Sequence, residues 1–145
     1  MRDAVGFALD VGLVLPGGAP SALYHTPCHD SLRGTGIATL KRAGFPATES
    51  PHCCSEAGTL ALSRPDITDS MLHRKAAAVR EATEGRPPGT LMLTNCPSCV
   101  QGLGRNDRLG TVTRHLAVEA ATRLSGAGWQ EIFRSRAQQA KVIQL

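Results

Sequence analysis

Thr90-Leu91-Met92-Leu93-Thr94, running straight into Asn95-Cys96-Pro97-Ser98-Cys99, decides how this chain is read. A short apolar run behind the turn Arg86-Pro87-Pro88-Gly89 predicts a buried β-strand. The strand delivers a C-x-x-C turn in which Pro97 suits the first position of a helix. Cys99 then falls in the first helical turn, where free N–H groups and the helix dipole favour a thiolate.

Working outward, the same unit recurs twice upstream. Ser21–His25 reads as a short strand that ends at Thr26-Pro27-Cys28-His29, and Ala47–Glu49 as one that ends at Ser50-Pro51-His52-Cys53-Cys54. Between them, Asp30 or Ser31 is placed to cap a helix carrying Leu32, Ile37 and Leu40 and stopping at Gly44. Ser63, with Pro65 and Asp66 behind it, predicts the start of a longer helix that ends at Gly85. Its apolar face is expected at Ile67, Met71, Ala78 and Ala82. Gly110–Thr113 reads as a fourth strand, followed by helices over His115–Leu124 and Trp129–Lys141. Strands alternating with helices predict an α/β fold: a mainly parallel sheet of about four strands with flanking helices and the cysteines at the strand C-terminal ends. Ligand sites of such sheets lie at those ends. The turn Pro16–Pro20 divides an N-terminal segment and linker, residues 1–20, from a cysteine-rich domain with C-terminal helices, residues 21–145.

Composition narrows the function classes. With 41% hydrophobic and 19% charged residues, the 145-residue chain can bury a core, and with only 3% aromatics that core must come from Leu, Val, Ile and Ala. The net charge of +4 is scattered; its densest group, Arg134, Arg136 and Lys141, lacks interleaved aromatics, so no nucleic-acid partner is expected. Ala4–Leu15 is broken by Asp10 and too short to span a bilayer. No transmembrane segment or export signal is read, and a cytoplasmic or membrane-peripheral location is expected, where thiols stay reduced.

All five cysteines fall in one pattern: Cys28, the pair Cys53-Cys54, and Cys96 with Cys99. Thiolates are soft ligands that select zinc, copper(I) or iron–sulfur clusters. A vicinal pair is too strained to join as a disulfide, so its sulfurs diverge and can reach different metal atoms. One zinc or one cubane takes four ligands, so five thiolates point to a less regular cluster or to four ligands plus a reactive thiol. His25, His29 and His52 flank the cysteines; they could be ligands or proton donors, but the preferred reading has them hydrogen-bonding to sulfur or backbone from outside the ligand set. His73 and His115 are read as surface or partly buried residues of predicted helices, Glu56 as a solvated loop residue with an acid/base role as the alternative, Met71 and Leu72 as core, and Trp129 as an anchor for the last helices.

Tyr24-His25-Thr26-Pro27-Cys28-His29, then Cys53-Cys54-Ser55-Glu56-Ala57-Gly58-Thr59, Lys75, and Thr94-Asn95-Cys96-Pro97-Ser98-Cys99 together resemble the cysteine-rich CCG domain. That domain occurs in the heterodisulfide reductase B subunit, in iron–sulfur subunits of glycolate and lactate oxidases and in anaerobic glycerol-3-phosphate dehydrogenase, and it ends large FAD-linked oxidoreductases. The resemblance spans roughly residues 21–125 and keeps the order of the motifs. It implies an α/β fold in which Cys28, Cys53, Cys54, Cys96 and Cys99 hold a non-cubane [4Fe-4S] cluster; other copies of the domain hold zinc. It also implies electron transfer between a flavoprotein module oxidising a 2-hydroxy acid (lactate or glycolate type, with FAD only on that partner) and an acceptor such as a quinone or a thiol/disulfide carrier. By this resemblance the chain is one domain of a larger oxidoreductase and not catalytic alone.

Three departures accompany the resemblance. The Gly that follows the cysteine pair in the family is Ser55 here, which adopts positive φ less freely. The 24 residues between Cys28 and Cys53 are fewer than usual, and the 41 between Cys54 and Cys96 somewhat more. Lys75 has two readings, a positive charge near an anionic cluster or an exposed lysine beside Arg74. Two other functions stand beside the first: a zinc-binding structural or docking domain without redox activity, and thiol–disulfide chemistry at Cys96 and Cys99.

Overall fold

The structure, a computed structural model, describes residues 3–16, 18, 20–56 and 60–140. Four strands, β1 (Ala22–Tyr24), β2 (Ala47–Glu49), β3 (Thr90–Thr94) and β4 (Thr111–His115), form one sheet in the order β2-β1-β3-β4. Every pairing is parallel, with Tyr24 beside Glu49 and Leu93, and Thr94 beside His115. The α/β fold with a parallel sheet is therefore as the sequence predicts. From β1 the chain moves outward to β2, then returns to place β3 on the other side of β1. The crevice that this reversal opens lies at the C-terminal ends of β1 and β3, where Cys28 and Cys96 follow.

Side chains alternate across the strands and divide the core in two. Ala22, Tyr24, Leu91 and Leu93 pack with Val5, Leu15, Leu40, Phe45 and Leu116 on one face. These residues come from the N-terminal region, α1 (Ala4–Asp10), α2 (Gly36–Arg42) and α6 (Leu116–Ser125), so residues 3–15 share the core of the sheet. On the opposite face Leu23 and Met92 pack with Val79 of α4 (Pro65–Thr83), Leu103 of α5 (Pro97–Gly104), Cys54 and Cys99. Each fully buried aliphatic side chain contributes about 1.5–3 kcal/mol. Two of the cysteines thus belong to the core itself.

Several local expectations are corrected. The first predicted helix starts at Gly36, with Thr35 at its cap, because Asp30 is used otherwise: its carboxylate accepts from Leu32 and Gly34 N–H at 2.8 and 2.6 Å. Leu32 is buried from this turn, and Ile37 is exposed. Gly36 permits the close approach of α2 to β1, since a Cβ there would enter the Tyr24 ring. Ser63 ends a short helix, α3 (Leu60–Ser63), and Arg64 caps α4 with Pro65 in its first turn. Asp66 pairs with Arg64 at 2.6 Å. The buried face of α4 is Thr68, Lys75, Ala76 and Val79, one position round from the predicted stripe; Ile67 is exposed.

β4 extends to His115, which is partly buried as expected but caps α6 instead of lying within it, its Nδ1 accepting from Ala117 N–H at 3.2 Å. The last helix, α7 (Trp129–Gln139), buries no residue, and Trp129 joins it to α6 through Nε1–H donating to Thr122 Oγ1 at 3.1 Å. Lys141, with which the predicted helix ended, lies outside the described residues, as do Ala57, Gly58 and Thr59. No described helix is long and apolar enough to cross a membrane.

Candidate metal centre

Three strand ends build the site. The ladder between β1 and β3 continues past β1, with His25 N–H donating to Leu93 carbonyl at 2.8 Å, so His25 is buried on the face that holds Leu23. Past β3, Cys96 caps α5 in extended conformation, Pro97 opens the helix and Cys99 is buried in its first turn, as the C-x-x-C reading predicts. Past β2, Ser50 N–H donates to Tyr24 carbonyl at 2.7 Å before the chain reverses around the cysteine pair. The reversal uses two left-handed residues, His52 at φ 68° and Ser55 at φ 63°. A non-glycine residue there costs on the order of 1–2 kcal/mol. Ser55 adopts this conformation although it is not Gly, and its N–H donates to Cys53 Sγ at 3.4 Å.

The vicinal sulfurs diverge as predicted. Cys54 Sγ lies 3.2 Å from Cys99 Sγ, whereas the Cys53 side chain meets that of Cys28. Cys99 in turn meets Cys96. The thiols thus fall into two groups, Cys54 with Cys99 and Cys96, and Cys53 with Cys28, joined through the Cys53-Cys54 backbone. Cys54 and Cys99 are buried, Cys53 and Cys96 half-buried and Cys28 exposed, and none is in a disulfide. A shallow cavity of about 120 Å³ lined by His52, Cys53, Met71 and Arg74 opens beside Cys53.

Packing thiols together separates their acidities. The hydrogen bond with Cys99, aided by the His25 ring and the Glu56 N–H, holds the Cys54 thiol down at about 4. The same contact with Cys54, with burial and Cys96 added, pushes the Cys99 thiol far up. Burial raises Cys53, with Cys54 and Cys28 adding to it and the Ser55 N–H opposing it. Of the two, Cys54 is the more acidic, and not Cys99 as its place in the first turn of the helix suggests.

Lys75 resolves its two readings by being fully buried. Its Nζ donates to the carbonyls of Ser50, Pro51 and His52 at 3.0, 2.7 and 3.3 Å and to Ser50 Oγ at 2.9 Å, and it lies 3.3 Å from His25 Nδ1. Desolvation pulls the ammonium down to about 8, against the attraction of Cys54, Cys53 and Cys99. One side chain from α4 thus ties the segment entering Cys53-Cys54 to the end of β1.

Asn95 is a positioning residue that the sequence reading treated only as part of a motif. Its Nδ2 donates to Asp30 Oδ1 at 3.1 Å and to Ser31 Oγ at 2.9 Å, and its Oδ1 accepts from Tyr24 O–H at 3.0 Å. Ser31 in turn donates to Asp3, the cap of α1, at 3.0 Å. The Cys28 and Cys96 loops are thereby held together. Burial and the nearby Asp30 raise Tyr24, which stays a donor. Burial opposes, but the Gly34 and Leu32 N–H groups and the Asn95 amide outweigh it, and Asp30 stays below the usual carboxylate range. An amide next to the C-x-x-C turn, with Asp30-Ser31 after the first cysteine, was the available signal.

The remaining flanking residues stand aside. His29, His52 and His73 are exposed. Glu56 is not a solvated loop residue: it is half-buried and paired with Arg105 at 2.7 Å. Gly102 of α5 packs against the Cys54 carbonyl, where a Cβ would collide, and would also stand 2.9 Å from Glu56 Cβ. Gly102→Ala is accordingly expected to cost about 1–3 kcal/mol and to weaken metal uptake by shifting Cys54. A thermal melt with a metal titration checks it, and unchanged uptake would contradict the role given to this contact.

A ring nitrogen of His25 and the sulfurs of Cys54 and Cys99 all lie within 4.8 Å of one another, a group that could hold a metal ion. Buried polar atoms without a hydrogen-bond partner include His25 Nε2 just past β1, Thr94 Oγ1 at the end of β3 and Ser55 Oγ beside the cysteine pair. Buried polar atoms are normally satisfied, and a bound group at this place would satisfy them. The thiolate-rich donor set suits a soft metal. No family model matches the chain, and no significant match was found among curated proteins or among solved structures.

Proposed function

We propose that this chain is an iron–sulfur electron-transfer domain in which Cys28, Cys53, Cys54, Cys96 and Cys99 hold the cluster. The observation that supports this reading is that all five cysteines of the sequence follow the ends of three adjacent parallel strands, with the sulfurs of Cys54 and Cys99 3.2 Å apart. A [4Fe-4S] cluster bound there would supply one-electron chemistry. The chain's own residues hold the sulfurs apart from water at Cys54 and Cys99, open them to the surface at Cys28, and hydrogen-bond them from Ser55 N–H. Such contacts and burial are what set a cluster's potential. A flavoprotein partner for a 2-hydroxy acid, and a quinone or thiol carrier as acceptor, rest on the resemblance to the CCG domain.

Zinc is the second reading, favoured by the compactness of His25, Cys54 and Cys99, which offer three of the four donors that a structural zinc takes. Metal and acid-labile sulfide analysis of protein purified without oxygen separates the two. Iron with sulfide and broad visible absorption is expected. Stoichiometric zinc without colour, persisting after attempted cluster reconstitution, would replace the redox reading with a structural or docking one.

A further inference from the structure

The buried ammonium decides what His25 can do. An ammonium has three N–H donors and no lone pair. Around Lys75 Nζ stand three carbonyls that only accept, the Ser50 hydroxyl, and His25 Nδ1 at 3.3 Å. Such surroundings favour the ammonium form, because every carbonyl asks for a donor. An ammonium cannot receive a proton from Nδ1, so Nδ1 must present its lone pair. In a neutral imidazole the proton then sits on Nε2. Nε2 is buried and makes no hydrogen bond of good geometry, but its ring is grouped within 4.8 Å with the sulfurs of Cys54 and Cys99 and bears on the Cys54 thiol.

A protonated Nε2 has no lone pair for a metal. We propose that Lys75 holds His25 in the Nε2–H tautomer, which makes His25 a hydrogen-bond donor to the sulfur shell of the centre and not a metal ligand. The metal shell is then drawn from thiolates alone, and the compact group of His25, Cys54 and Cys99 does not close as a mixed nitrogen–sulfur site. Lys75 acts as a positioning residue through His25. An N–H aimed at sulfur stabilises negative charge there and tunes the centre without entering it. This inference rests on the reading of the cysteines as a metal centre.

The test uses the reduced wild-type protein, isotopically labelled at histidine and lysine nitrogens, by nuclear magnetic resonance before and after loading with spin-active cadmium(II). The expected result is a proton on His25 Nε2 and a pyridine-like Nδ1 in both states. Lys75 Nζ should appear as an ammonium with slowly exchanging protons. The cadmium resonance should fall in the thiolate-only range with no scalar coupling to His25. A proton on Nδ1, a neutral Lys75 amine or cadmium–nitrogen coupling to His25 would overturn the proposal. Failure to bind cadmium stoichiometrically would count against the metal-centre reading, while the tautomer of the metal-free protein would still decide this one.

Discussion

Lys75→Met is expected to destabilise the fold by about 3–5 kcal/mol, a drop in melting temperature on the order of 10 °C for a chain of this size. Lys75 is fully buried and donates to four oxygens between residues 50 and 52. Methionine fills a similar volume but leaves those acceptors without the donors that Lys75 supplies, the two of Ser50 in buried surroundings. The loss exceeds what is regained by not desolvating an ammonium, because several polar groups are orphaned by one substitution. Lys75→Arg is not expected to rescue it: a planar guanidinium cannot converge its donors on neighbouring carbonyls as a tetrahedral ammonium does. Urea denaturation of the reduced, metal-free protein checks this. A change below about 1 kcal/mol would mean that the Lys75 contacts are not what holds the Cys53-Cys54 segment.

Substituting the cysteines one at a time should give the largest functional contrast. Cys54→Ser and Cys99→Ser are expected to abolish metal binding, a loss greater than the roughly 100-fold that removal of an outer-shell partner causes. Both sulfurs are buried and stand 3.2 Å apart at the centre of the donor group, so each is required to complete it. Cys28→Ser is the decisive member of the series. Cys28 is exposed at the rim, next to Cys53, and its loss should leave the melting temperature nearly unchanged. If the centre is an iron–sulfur cluster using five thiolates, iron and sulfide content should still fall sharply in Cys28→Ser. If the centre is zinc held by the deeper sulfurs, Cys28→Ser should retain its metal in full. Iron, sulfide and zinc per chain, measured beside a melt, read both outcomes from the same samples.

Legibility of the site varied residue by residue. The strand ending at Thr94 and the helix opening at Pro97 were readable because apolar run length, a turn and proline geometry are local. Asp30 was misread as a helix cap because an Asx turn and an N-cap use the same side chain and neighbouring N–H groups. The buried face of α4 was misplaced by one residue, a rotation of about 100°, because the apolar stripe through Met71, Ala78 and Ala82 omits Lys75. Hydrophobicity cannot identify a lysine as core when its burial is compensated by carbonyls supplied from another loop.

The order of amino acids by itself determined the α/β alternation, the placement of each cysteine group just beyond a strand, and the divergence of the vicinal sulfurs. All three follow from backbone geometry over a few residues. Only the tertiary structure decided that Cys54 meets Cys99 while Cys53 meets Cys28, that Lys75 is buried against Ser50–His52 and His25, and that Asn95 joins the first and third cysteine loops. These contacts connect residues far apart in the chain. They exist because the sheet order places β1 between β2 and β3, so that three strand ends open into one crevice.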